Sequence, residues 1–213
     1  MNFPVILSVL LLFFSGGHEN KPTKKEHIIV DSHITLEEAL KGREIPNTNT
    51  KNLRILDVEY YSFDHILHKG QLVINKELAN DISGIFKLIK ENKFPIKKVI
   101  PINNYNWSDE ASMSDNNTSA FNYRVINGTR TFSTHSLGRA IDINPLQNPE
   151  IKNGKVSPEG AVYNKYAPGT ITANSWLTHE FYKRGWRWGG SWKFSQDYQH
   201  FEKTKTTSIK KIK

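Results

Sequence analysis

Leu53-Arg54-Ile55-Leu56-Asp57-Val58-Glu59-Tyr60-Tyr61, followed after a polar turn by Gln71-Leu72-Val73-Ile74-Asn75, is the stretch that decides the fold. Both runs are rich in β-branched and aromatic residues, and the turn between them holds His65, His68 and Gly70, so the pair reads as a hairpin. From Asn75 onward the period changes. Leu78, Ile82, Ile85, Phe86 and Ile89 recur at helical spacing, Asn75 stands where a helix is capped, and Phe94-Pro95 marks its end. Two adjacent strands and then a helix, without regular strand–helix–strand alternation, predict an α+β domain with a small, mainly antiparallel sheet flanked by helices.

Outward from this unit, Thr35 is placed to cap a short helix over Leu36-Glu37-Glu38-Ala39-Leu40, stopped near Gly42 and Pro46. Downstream, Lys97 to Ile102 reads as a strand and Asn103 to Arg130 as one long polar loop. Gly138 to Asn144 reads as a short strand with a carboxylate on one face, and Pro145 to Gly169 as irregular. A helix is expected over Ala173 to Arg184, then a Gly- and Trp-rich turn, Gly185 to Gly190, and a closing segment ending in Asp197-Tyr198-Gln199-His200-Phe201-Glu202.

The 213 residues suit one hydrophobic core, and 37% hydrophobic with 23% charged residues is the balance of a folded soluble domain. Met1 to Phe14 is an apolar run followed by Ser15, Gly16 and Gly17, a signal-peptide pattern too short for the roughly 20 residues of a membrane-spanning helix. An uncleaved anchor is the alternative. The expected organisation is a signal peptide over 1–17, an N-terminal arm and linker over 18–50, the functional domain over 51–203 and a basic tail over 204–213. The absence of cysteine excludes disulfides, a lipobox thiol and thiolate metal ligands, so any metal site must be built from His and carboxylate. The net charge of +8 suits an anionic partner, but much of it lies at the ends, in Lys21, Lys24 and Lys25 and in Lys203, Lys205, Lys210, Lys211 and Lys213.

Ser133-Thr134-His135-Ser136-Leu137-Gly138-Arg139-Ala140-Ile141-Asp142 puts an imidazole and a carboxylate close in sequence, with a glycine between them that permits a sharp change of direction. Alone, the pair reads first as a satisfied surface or core contact and only second as a metal site. Asp197 and His200 add a second imidazole and a further carboxylate. A hydrolytic zinc needs three N or O ligands, an open position for water and a carboxylate outside the coordination shell to take the water proton, and these four residues supply that count. In a regular strand Asp197 and His200 would face opposite sides, so a turn or bulge between them is required.

The run Ser133-x-His135-Ser136-Leu137-Gly138-x-Ala140-Ile141-Asp142-Ile143-Asn144-Pro145, with Gly185-Trp186-x-Trp188-Gly189-Gly190-x-Trp192 and Asp197-x-x-His200-Phe201-Glu202, resembles the D-alanyl-D-alanine carboxypeptidase and L-alanyl-D-glutamate endopeptidase family of zinc peptidases, family M15. Phe94-Pro95-Ile96, Asn117 to Arg124 and Asn148-Pro149 also fit it, and the likeness covers about residues 50 to 203. The resemblance implies the hedgehog/DD-peptidase fold, a single Zn2+ held by His135, Asp142 and His200, Asp197 as general base, and Arg124 as the residue that anchors substrate or polarises the scissile carbonyl. Many relatives carry Glu where Asp197 stands.

It also implies stem peptides of bacterial peptidoglycan as substrate for an exported, periplasmic or secreted monomer, with no nucleic-acid partner and no stable membrane insertion. Ser133 and Trp188 are expected at the substrate, against plainer readings as a turn-forming serine and a core aromatic; Arg124 has the plain alternative of an ion pair with an acid such as Asp115. Glu202 is the second choice for the base, and Arg130 and Arg139 are weaker candidates than Arg124. Trp186 and Trp192 are further groove candidates, and His18, His27, His33, His65, His68 and His179 are expected in surface or structural roles. Two rival functions stand beside the enzyme: a non-catalytic zinc-containing protein that binds wall peptide on the same fold, and an anionic-polymer binder driven by the basic tails. The Asn-x-Ser/Thr sequons at Asn106, Asn116 and Asn127 matter only in a eukaryotic secretory route.

Overall fold

The computed structural model describes residues 27–204; the expected signal peptide, and all of the basic tail but Thr204, lie outside them. In chain order the elements are β1 (Ile28–Val30), α1 (Leu36–Ala39), α2 (Asn47–Thr50), β2 (Leu53–Tyr61), β3 (Leu67–Asn75), α3 (Ala79–Glu91), β4 (Lys98–Val99), α4 (Asp109–Ser114), β5 (Asn117–Thr118), β6 (Ala140–Asp142), β7 (Glu150–Lys152), β8 (Lys155–Ser157), α5 (Trp176–Lys183), β9 (Arg187–Trp188), β10 (Gln196–Asp197) and β11 (His200–Glu202). Helices and several small sheets mix in one α+β domain, and antiparallel pairings outnumber the two parallel ones, β1 with β3 and β4 with β5.

The hairpin and the helix after it form as their sequence predicts. β2 and β3 pair antiparallel in unbroken register from Leu53↔Asn75 to Tyr61↔Leu67. Ile82, Ile85, Phe86 and Ile89 of α3 are fully buried against Val58, Tyr60, Leu72 and Ile74 of the hairpin in the main core. Asn75 caps a 3-10 turn, Lys76–Leu78, that leads into α3, its side chain accepting from the Glu77 N–H. Thr35 caps α1 in a full capping box with Glu38, as expected.

Four expectations are corrected. β3 begins at Leu67, not Gln71, so His68 and Gly70 are strand residues. Buried His68 stays in the strand because Asp31 and Asp64 take its two ring nitrogens, at 3.0 and 3.2 Å. The strand expected over Lys97 to Ile102 shrinks to β4, because Pro101 leads directly into a 3-10 turn over Ile102–Tyr105. The long loop from Asn103 is interrupted by α4, capped by Ser108 and opened by Asp109 and Glu110, and by β5. Within Pro145 to Gly169, β7 and β8 form a hairpin.

The stretch expected as arm and linker is part of the fold from Ile28 onward: β1 adds to β3, and Ala39 of α1 packs with Leu53, Val73 and Phe121 in a second core. Two buried asparagines tie the loops to the centre. The Asn144 side chain accepts from Lys97 N–H at 3.0 Å and donates to the carbonyls of Pro95 and Gly169. Asn148 accepts from Ile171 N–H at 2.7 Å and donates to Gly169 and Ile143.

Candidate metal centre

His135 sits on a 3-10 turn, Thr134–Leu137, whose first residue is preceded by Ser133; the Ser133 hydroxyl accepts from His135 N–H at 3.3 Å. That turn ends at Gly138 in the left-handed region, φ 62°, where a Cβ would lie 2.7 Å from Asn75 N and 2.8 Å from a Leu53 methyl. Only glycine allows this approach, and it locks the turn against the end of the hairpin: Asn75 N–H donates to the Gly138 carbonyl and the Asn75 amide to Leu137. Chain reversal at Gly138 feeds β6, which pairs antiparallel with β11 and sets Asp142 directly opposite His200.

The three expected ligands meet at one point. His135 Nε2 is 3.2 Å from Asp142 Oδ2 and 3.1 Å from His200 Nδ1, and His200 Nδ1 is 2.9 Å from Asp142 Oδ1. All three residues are buried, and one ligand atom from each lies within 4.8 Å of the others. His135 turns its other nitrogen, Nδ1, onto the Ala120 carbonyl, which leaves an Nε2 lone pair aimed inward. Two imidazole nitrogens and a carboxylate with no sulfur form a donor set that fits a borderline divalent ion such as zinc.

Ser119 to Arg124 walls one side. Ser119 bridges Asp142 in both directions, Asn122 N–H donates to the His135 carbonyl, and the Ser136 hydroxyl spans Asn122, Arg124 N–H and Arg124 carbonyl.

The turn required between Asp197 and His200 is present, and it is a change of sheet. Asp197 ends β10, paired with Glu150 of β7; Tyr198 and Gln199 make a turn; His200 opens β11, paired with Asp142 of β6. Both side chains therefore pack on Gly189, where an added Cβ would stand 3.0 Å from the Asp197 Cβ and 3.2 Å from the His200 Cβ. Asp197 Oδ1 is buried without a hydrogen-bond partner.

The electrostatics separate the two aspartates. Burial works against an ionised Asp142, but the facing imidazoles outweigh it and hold the carboxyl well below the usual range. Burial lifts Asp197 to about 7; His200 opposes, while the like charges of Asp142 and Glu150 add to the lift. Burial disfavours a charged His200, yet Asp142 and Glu202 together push the ring up to about 10. Without metal, the facing Asp142 carboxyl and His200 ring favour opposite charges on each other.

Of the other expected site residues, Arg124 reaches Asp109, not Asp115, at 2.7 Å, and its Nε is buried without a partner. Trp188 is corrected: it is 2% exposed, packs on Phe201 and Tyr198, and donates to the Tyr198 carbonyl at 2.8 Å, so it is core and cannot line a groove. Trp186 is core too, bonded to Asp81. Trp192, 37% exposed, is the tryptophan at the site, its ring centroid 5.3 Å from that of His200. Phe194, two residues on, is 91% exposed. Arg139 pairs with Glu77 and the Lys203 carbonyl, and Arg130 is exposed in a turn.

Residues 127–203 match the family model of D-alanyl-D-alanine carboxypeptidase, the stretch that carries His135, Asp142, Asp197 and His200. The match supports the family resemblance read from the motifs, over a stretch that also carries the candidate metal site, and the two together support a peptidase-type function. No curated protein and no solved structure matches the chain.

Proposed function

We propose that this chain is a zinc-dependent peptidase that hydrolyses bonds in the stem peptides of bacterial peptidoglycan, working outside the cytoplasm as a monomer. The observation that carries the reading is the convergence of His135 Nε2, Asp142 and His200 Nδ1 in a buried cluster beside a second carboxylate, Asp197, that has an unpartnered buried oxygen. Zinc held there supplies Lewis acidity toward a carbonyl and makes water a better nucleophile at neutral pH.

The protein's own groups do the rest. Asp142 and the two imidazoles hold the ion, and the Ala120 carbonyl keeps His135 in the ligating tautomer. Asp197, lifted toward neutrality, is suited to accept a proton from the attacking water and return it to the leaving amine. Arg124, steadied by Asp109, offers a guanidinium fork to a substrate carboxylate or a developing oxyanion. Ser133 shapes the His135 turn, and half-exposed Trp192 gives the substrate an apolar wall beside His200.

Mass-spectrometric analysis of defined muropeptides, incubated with the chain plus zinc or plus chelator, tests the reading. Loss of one alanine only with zinc establishes a carboxypeptidase, and cleavage after L-alanine an endopeptidase. Zinc bound with no product under any condition would replace the enzyme by a wall-peptide binding protein. Among the described residues no helix is long and apolar enough to cross a membrane; export is tested by sequencing the N-terminus of the chain recovered from periplasm and medium.

A further inference from the structure

His200 faces a carboxylate on each edge of its ring. Its Nδ1 edge faces Asp142 and His135, the metal side. Its Nε2 is buried and makes no hydrogen bond, but Glu202 Oε2 stands 3.7 Å away. The backbone explains the placement: residues 200 and 202 lie on the same face of β11, with about 6.8 Å of strand between them, so the longer glutamate side chain is suited to fold back to the imidazole's far edge.

Glu202 is itself fixed. Arg187, its cross-strand neighbour in β9, donates to Oε1 at 2.6 Å, and the Thr134 hydroxyl, from the residue before His135, also reaches the carboxylate. A buried carboxylate bonded to an arginine, and facing the Thr134 hydroxyl and the rear edge of the imidazole, points away from the metal side and is badly placed to take a proton from water there. This argues against Glu202 as the alternative base and points it to another task.

We infer that Glu202 is the positioning residue of the metal centre: it draws the Nε2–H of His200 to itself, so that His200 presents the Nδ1 lone pair to the ion while His135 presents Nε2. Through Thr134 the same carboxylate couples the turn carrying one ligand to the strand carrying another. The inference rests on the zinc reading above but not on peptidase activity. Partners of this kind commonly change metal affinity by about 10- to 100-fold when removed.

Two measurements test it on the full mature chain. In the first, metal-free wild type, Glu202→Ala and Glu202→Gln are titrated with zinc in competition with a chromophoric chelator. Glu202→Ala should bind zinc about 10- to 100-fold more weakly, and Glu202→Gln, whose amide oxygen still accepts the Nε2–H, should recover most of that loss. An alanine variant with wild-type affinity, or a glutamine variant as weak as alanine, overturns the inference; a purely structural glutamate would lower thermal stability and leave zinc affinity unchanged. The second needs no variant: long-range nitrogen–proton NMR of histidine-labelled, zinc-loaded protein should show His200 protonated at Nε2 and ligating through Nδ1. The reverse pattern sinks this inference while the zinc reading stands, and a wild-type chain that holds no zinc sinks both.

Discussion

Two three-stranded sheets in this chain do opposite jobs with opposite means. In β1–β3–β2 the hairpin strands are nine residues each, the register is continuous, and the buried side chains facing α3 are almost all apolar. In β6–β11–β9 the strands are two or three residues long, and their inward groups include Asp142, His200 and Glu202. The first sheet specifies itself, since its ladder and its apolar face favour the same register. The second is too short for that; it is held by Ser136, Asn122, Thr134 and Arg187 and by Gly138 docking on the hairpin. A precise site can therefore rest on minimal regular structure, provided a self-sufficient neighbour anchors it.

The largest expected effect breaks the contrast at the metal. His135→Ala should abolish one-to-one zinc retention by elemental analysis while the metal-free fold persists by circular dichroism; stoichiometric zinc in that variant would show that the ligand set is wrong. Asp197→Ala should reduce turnover by about 10²- to 10⁴-fold with zinc still bound, and near-normal kcat would remove it as base. On the scaffold side, Ile82→Ala should cost about 2–5 kcal/mol in denaturant unfolding, with zinc affinity unchanged below the transition. A matching fall in zinc affinity would mean that the two sheets are not separable.

Gly138→Ala attacks the junction and should cost about 1–3 kcal/mol from the left-handed backbone alone, with zinc weakened as well; an affinity unchanged in the folded variant would show that the hairpin does not align the site. The remaining effect is a pH trend in the metal-free chain. His200, raised to about 10, gives stability that is complete below about pH 6.5 and lost as pH climbs toward 10. Asp197, raised to about 7, costs stability as pH rises from about 4 to 7, because the unfolded chain releases that proton first. Glu202, held near 2 by His200 against burial, acts in the other direction, its contribution lost as pH falls below about 4. The melting temperature should therefore peak near pH 4 to 5 and decline on the alkaline side, with saturating zinc flattening the decline. A profile that does not fall between pH 6 and 9 without zinc would contradict the buried ion pair.

Legibility followed the same division. The hairpin and α3 were readable because their apolar periods persist over enough residues to be distinctive, and the extra turn of β3 was hidden only because His68 looks like a loop residue until Asp31 and Asp64 are seen beside it. The candidate ligand trio was readable from spacing and family motif, not from secondary structure. The three tryptophans show where sequence stops: Trp186, Trp188 and Trp192 share one motif, and only the β9–β11 pairing decides that the first two face the core while the third stands by His200. Helix α4 had its signal, Ser108 before two acids, submerged in polar surroundings.

The two asparagines that wire the loops to the centre, Asn144 and Asn148, are each followed by proline, at 145 and 149. Proline has no N–H to attack the preceding side-chain amide, so the cyclic-imide route by which asparagine ages to aspartate is closed at both positions. Spontaneous chemical wear is directed instead to Asn127-Gly128 and Asn153-Gly154, in exposed turns. With age the chain would then lose charge uniformity in its outer loops well before the wiring behind the His–Asp–His cluster changes.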